Sequence, residues 1–322
     1  MNNEYNFTGP FKDILPQYIE YKRSLGFSFS GSICRALRAM DNFFDKNYNI
    51  SDITLTKEMV LNFVKYREKE ASATTCLRCS FVRGFAQYLK LIGFKDIYVL
   101  PSQYIPKNTT TFIPFIFTIE QIFTIFKIID NYHFKTVYLQ SHRVYATLIR
   151  LLYGCGLRSG EALSLKVSDI DFTNSIIHIL DGKNNTSRIV CMSNSLSNVI
   201  ESYIYDSKLQ TSDWLFPSPR GGHYSQDTVH GFLTHIFEIA GIFNSSGNPP
   251  RVHDLRHTFS VHSLRKMINN GMDIYCALPF LSSFLGHKNI SATEKYLRLV
   301  NEDFPKIVDN NSDIFGGVLN VE

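Results

Sequence analysis

Apolar positions recur every three to four residues from about Phe11 to Gly93, in FKDILPQYIEYKRSL, ICRALRAMDNFFDK, KEMVLNFVKYREKE and TCLRCSFVRGFAQYLKLI. That spacing lines up one face of a helix, so the first 100 residues are predicted as a bundle of four helices. The pattern stops in PSQYIPKNTTTFIPF, where three prolines and three consecutive threonines describe an extended linker over residues 101–116. Thr118 and Gln121 then form a T-x-x-Q capping box that opens the next helix. Beyond it, helical periodicity alternates with one β segment, SIIHILDGKNNTSRIVCMS, whose β-branched runs flank a polar turn and predict a hairpin. The expected fold is an all-α bundle followed by a mainly α domain with a small β-sheet over 117–305. A tail at 306–322 carries the apolar stretch DIFGGVLN.

Composition narrows the class. The 322 residues are 44% hydrophobic, enough for two packed domains, and no run of 18 apolar residues marks a membrane span. MNNEYNFTGPFKD lacks the charged start and apolar core of a secretory signal, so a cytoplasmic protein is expected. The six cysteines are scattered, as in a reducing compartment; Cys76 and Cys79 form a C-x-x-C without a second ligand pair and read as two helix positions.

Charge changes the picture only through its distribution. The net charge is +4, and residues 1–100 hold 14 Lys and Arg against 10 Asp and Glu, so the remainder balances. Between Ala71 and Lys95 stand Arg78, Arg83, Lys90 and Lys95 with no acid. Such a helix is either an ordinary solvated face or a surface for nucleic-acid phosphates, and composition alone favours the first.

Candidate chemistry lies in four separate stretches. In LLYGCGLRSGEALSLKVSDID, Arg158 and Glu161 are one helical turn apart and can pair; the glycines follow a helix rather than a strand, which argues against a nucleotide loop. In RVHDLRHTFSVHSL, His253, Arg256 and His257 share a helix face suited to a planar anion and proton exchange. Six of the ten histidines fall between His223 and His262, but the interleaved arginine and the lack of a carboxylate cluster disfavour a metal site. Lys183 stands on the hairpin turn, where it is either solvated or a proton donor reaching into a cleft. In LGHKNISATEKYLRL, an S-x-x-E box at Ser291 and Glu294 places Tyr296 in the second turn of a helix, nine positions after His287. Arginines, histidines, a lysine and a tyrosine without paired carboxylates suit phosphoryl transfer: guanidinium groups stabilise charge on phosphate oxygens, and a tyrosine forms a covalent intermediate.

The ordered set Arg158, Lys183, His253-x-x-Arg256, His287 and Tyr296, in the words GLRSGE, HDLRHTF and LGH, resembles the tyrosine recombinase (phage integrase) family, which includes the Xer-type resolvases. The resemblance covers about residues 117–300; the helical N-terminal part is similar to the family's core-binding domain in size and basic character. It implies that Tyr296 is the nucleophile of a 3′-phosphotyrosyl link and that Arg158 and Arg256 clamp the scissile phosphate. It further implies that Lys183 protonates the leaving 5′ oxygen, His253 assists proton transfer, His287 binds the phosphate, and Glu161 and His257 support them. Lys183 is followed by NNTSR instead of the more usual glycine and second basic residue. The resemblance also implies a clamp around double-stranded DNA, no cofactor, and homo-tetramers on two sites that exchange a C-terminal segment. HSLRKMINNGMDIYCALPFLSSFLGHKNISATEKYLRL is similar to integrases of transposon-like elements, which implies integration or excision of a mobile element. The alternatives are a type IB topoisomerase-like nicking and closing enzyme, a non-catalytic DNA-binding regulator, and a histidine-rich metal nuclease.

Overall fold

The computed structural model describes residues 6–27, 31–68, 70–106, 113–133, 141–182, 186–287, 289–294 and 296–297. By packing, the chain divides into two compact units, Met1–Phe112 and Ile113–Glu322. Together they are mainly helical with one small sheet. Among the described residues no helix is long and apolar enough to cross a membrane.

The first unit holds α1 (Leu15–Ser24), α2 (Gly31–Asn47), α3 (Lys57–Val64) and α4 (Ser72–Leu91). Their apolar faces meet in a core that includes Leu15, Ile19, Leu37, Met40, Val82 and Leu89. Phe11 meets Phe44 and Phe85 edge to face at 5.7 and 5.2 Å, the arrangement that the ring quadrupoles favour. Helix α1 begins later than its periodicity suggests, with Pro16 in its first turn, where a missing N–H costs no helical bond. Asp41 is fully buried and accepts from the backbone N–H groups of Gly9 and Phe11 at 2.8 and 2.9 Å, which fixes the chain's approach to α1.

Helix α3 stops at Val64, short of the Glu70 that its pattern reached, and this corrects the reading of the basic helix. Glu70 pairs with Arg78, whose NH1 and NH2 donate to the carboxylate at 2.6 and 2.7 Å while NH2 also reaches the Lys65 carbonyl at 3.0 Å. Arg78 is buried and engaged within the bundle, so it is not a surface group for phosphates. Its counter-ion sits just outside the acid-free window, which is why the window misled. Arg83 is half-buried and donates to the Leu100 carbonyl, whereas Lys90 and Lys95 are exposed. Arg78→Ala is therefore expected to destabilise the protein by about 2–3 kcal/mol, because it strands a largely buried carboxylate. Lys90→Ala should stay within about 0.5 kcal/mol. Urea unfolding of the two variants checks the contrast.

The second unit holds α5 (Ile119–Asp130), α6 (Ser141–Cys155), α7 (Ser159–Leu163), α8 (Asn194–Ser207), α9 (Gln226–Ile239), α10 (Asp254–Asn269), α11 (Ile274–Leu285) and the one-turn α12 (Ser291–Glu294). The capping box at the start of α5 is present in both directions, with Thr118 Oγ1 and Gln121 Oε1 accepting backbone N–H groups at 3.2 and 2.9 Å. Helix α6 is the hub and packs against α5, α8 and α10. The predicted hairpin consists of β2 (Ile176–Gly182) and β3 (Thr186–Cys191), and a two-residue β1 (Ile170–Asp171) extends it to a three-stranded antiparallel sheet of order β1-β2-β3. The register pairs Ile177 with Val190 and His178 with Ile189; Ile177, Ile179 and Val190 face the core, and Leu180 and Ile189 face outward. Helices α10 and α11 form a second apolar cluster of Val261, Leu264, Leu281 and Leu285 that encloses the Tyr296 ring.

Candidate active site

The site forms where α6 ends. Gly156, at φ +59°, turns the chain against the face of Phe259, where any Cβ would collide with that ring. The turn brings Arg158 to the N-cap of α7, and Glu161, three residues on, accepts from the Arg158 backbone N–H at 3.0 Å and from its NH1 at 2.6 Å. Two more arginines converge on the same carboxylate. From β3, Arg188 donates NH1 and NH2 to the two oxygens at 3.2 and 2.9 Å, and its Nε to the Phe284 carbonyl at 3.1 Å. From α10, Arg256 places NH1 3.9 Å from Glu161, donates NH1 to the Gly156 carbonyl at 2.7 Å and NH2 to the Leu285 carbonyl at 2.6 Å.

Burial sharpens the electrostatics. The Arg256 side chain is 2% exposed and Arg158 is 25% exposed, so the cluster presents Arg158 outward over a buried base. Burial by itself would raise the Glu161 carboxyl, but the hydrogen bonds from Arg188 and from the Arg158 backbone outweigh it and hold its pKa down at about 2. For Arg256, burial and then the neighbouring Arg158 charge lower the guanidinium to about 10, which leaves it charged at neutral pH. Three cations on one anion leave two positive charges for an external anion.

His287 follows α11 at the edge of this cluster. Its Nε2 lies 3.2 Å from Arg256 NH2, which can only donate, so Nε2 accepts; the ring proton then sits on Nδ1, 2.8 Å from Thr293 Oγ1. Gly286 makes this possible. It ends α11 in the left-handed region at φ +65°, and Arg188 passes 3.0–3.2 Å from where a Cβ would stand. Gly286→Ala is expected to cost about 1–2 kcal/mol through backbone strain and displacement of Arg188, read as a lower urea midpoint.

Tyr296 is 1% exposed, and its hydroxyl lies 3.0 Å from His257 Nδ1. Helix α12 ends at Glu294, so Tyr296 stands in the turn behind it instead of in a second helical turn; its N–H bonds the Thr293 carbonyl at 2.9 Å, which tightens the chain and turns the ring inward. Burial raises the phenol above its ordinary pKa, partly offset by the Ser260 hydroxyl and by the Arg256 and Arg158 charges.

Arg158, Glu161, Arg256, His257, His287 and Tyr296 are thus gathered in one place. His253, at the N-terminus of α10, is exposed and sets its ring edge-on to His257 at 4.8 Å. Lys183 lies outside the described residues. Arg188 is the member that the sequence reading passed over. Its signal was the strand alternation, which puts Arg188 on the same face as the buried Val190 and so requires a partner for an inward charge. Among the described residues no group of three or more His, Cys, Asp and Glu side chains is placed to hold a metal ion. His230 instead bonds Ser159 Oγ at 3.1 Å, and His262 lies 3.0 Å from the Tyr153 hydroxyl.

A mainly helical domain carrying a small three-stranded antiparallel sheet is the architecture of the tyrosine-type recombinases. The phage integrase family model matches residues 117–302, more than half of the chain, and the chain belongs to that family. Similar proteins include a putative integrase/recombinase of Sinorhizobium fredii, y4rB, 27% identical over 296 residues, covering 89% of this chain and 92% of that protein. A tyrosine recombinase of Pseudothermotoga lettingae is 29% identical over 247 residues, covering 77% of this chain and 78% of its own length. Among solved structures, the XerH site-specific recombinase bound to palindromic difH substrate, a post-cleavage complex, superposes with a TM-score of 0.63 at 19% identity. It covers 86% of this chain and 77% of that one, a likeness of fold.

Proposed function

We propose that this recombinase acts on specific sites in double-stranded DNA and exchanges strands through a 3′-phosphotyrosyl intermediate. The observation that carries the reading is the convergence of three guanidinium groups on Glu161 beside the Tyr296 hydroxyl. Arg158 and Arg256 bind the nonbridging oxygens of the scissile phosphate, and His287, whose ring borders Arg256, contributes a further contact. Tyr296 Oη attacks phosphorus while the bond to the 5′ oxygen breaks. The phenol proton leaves by way of His257, with which it already shares a hydrogen bond, and His253 passes it toward solvent. Lys183 on the hairpin turn supplies a proton to the departing 5′ oxygen, which leaves as a hydroxyl. Attack by the 5′ hydroxyl of a partner strand on the phosphotyrosine reverses the step and reseals the DNA, with the bond energy kept and no cofactor consumed.

In the first unit, the exposed Lys90 and Lys95 are the contacts to DNA phosphates that this reading retains. The protein works as a homo-tetramer on two sites. The similarity of its last helices to integrases of transposon-like elements supports a role in integration or excision of a mobile element. The test is covalent capture. Duplexes from the flanks of the encoding element, nicked just past the cleavage position and labelled at one end, are mixed with the protein in chelator and run on a denaturing gel. A label retained on the protein through its 3′ end is expected; DNA bound without any covalent band would leave a binding protein in place of an enzyme.

A further inference from the structure

We infer that Arg188 is a positioning residue of the phosphate site: by engaging both oxygens of Glu161, it leaves the charges of Arg158 and Arg256 for the scissile phosphate. The inference rests on the phosphoryl-transfer reading above. Glu161 presents a difficulty for that reading, because a carboxylate that orients Arg158 also neutralises it. With Glu161 facing only Arg158 and Arg256, one positive charge would remain for a phosphate whose negative charge grows in the transition state. Arg188 removes the difficulty. Each nitrogen of its fork is engaged, two by the carboxylate oxygens and one by the Phe284 carbonyl, and its side chain is 10% exposed, so it faces the carboxylate and the end of α11 instead of the open side of the site.

A second observation comes from Gly286. Arg188 crosses directly over this residue, and the carbonyl it takes belongs to Phe284, next to Leu285, whose own carbonyl holds Arg256. One guanidinium therefore ties β3 to the segment that carries His287 and to the carboxylate that carries Arg158. A lysine there would keep the charge and lose the fork.

The experiment needs no known DNA site in its first arm. Affinity of the full-length protein for inorganic phosphate is measured by titration calorimetry, with Arg158→Gln defining the part that belongs to this site. Arg188→Gln is expected to weaken that binding by about tenfold or more, and Arg188→Lys by less than about threefold. The double variant R188Q/E161Q, which removes one charge of each sign, is expected to recover most of the loss; a variant damaged only in folding would not recover. The second arm uses the captured duplex. R188Q should slow covalent complex formation by about 100-fold with DNA affinity nearly unchanged, and by much less on a duplex whose scissile phosphate is a neutral methylphosphonate.

Phosphate binding by R188Q equal to the unaltered protein, a double variant no better than R188Q, or absence of any Arg158-dependent phosphate binding overturns the proposal. Should R188Q not fold, R188K decides, and a tenfold loss in that variant overturns it. If the phosphate arm behaves as expected while no protein forms a covalent DNA product, the charge role of Arg188 stands and the recombinase chemistry falls.

Discussion

Tyr296→Phe is expected to abolish covalent DNA capture, lowering the rate by about 10,000-fold or more, while DNA binding in a gel-shift assay stays within about twofold. The size of the effect follows from chemistry: phenylalanine has no hydroxyl with which to form the proposed ester. The fold should tolerate the change. The ring remains in the apolar cluster of α10 and α11, and the change removes the hydroxyl's hydrogen bonding to His257 and Ser260, at about 1–2 kcal/mol. In the unaltered protein, the raised phenol pKa keeps Tyr296 protonated near neutral pH, so capture should speed up as pH rises from neutral toward alkaline values. A covalent band of equal strength from the phenylalanine variant would remove Tyr296 from the reaction and send the search to another nucleophile.

Arg256→Gln is expected to be the most damaging single change at the arginine cluster, because it strikes the site and the fold together. Loss of a fixed cation on the phosphate should slow capture by about 1,000-fold. The same guanidinium also fills the Gly156 and Leu285 carbonyls, at the end of α6 and the end of α11, so its removal should cost about 2–4 kcal/mol of stability. Arg158→Gln provides the contrast. Its side chain is 25% exposed against 2% for Arg256, so it should slow capture comparably but unfold at nearly the urea concentration of the unaltered protein. Equal stability losses in the two variants would mean that Arg256 is not the strut between these two helix ends. Arg256→Lys separates the roles again: the charge stays, but one ammonium nitrogen cannot stand in the places of both NH1, which holds the Gly156 carbonyl, and NH2, which holds the Leu285 carbonyl.

The sequence was informative wherever the controlling interaction is local. The helices of the first unit, the T-x-x-Q start of α5 and the hairpin of β2 and β3 all follow from periodicity, capping and turn chemistry within a few residues. The Arg158–Glu161 pair was legible for the same reason, since its members stand one turn apart. Arg78 shows how narrow that reach is: its charge was visible, but the carboxylate that claims it lies eight residues away, beyond the end of a helix that the pattern ran too far.

Distance along the chain set the limit at the site as well. Arg188 reaches Glu161 across 27 residues, Arg256 reaches Gly156 across 100, and His257 meets Tyr296 across 39. By itself the sequence determined the main helices and the hairpin and supplied the ordered arginines, histidines and tyrosine on which the family resemblance rests. Only the tertiary structure decided that one carboxylate anchors three of the arginines, that His257 instead of His253 holds the tyrosine, and that Arg78 belongs to the interior. The reason is physical: local structure obeys the spacing of neighbours, whereas the partner of a buried charge is chosen by whichever segments the packed core brings together.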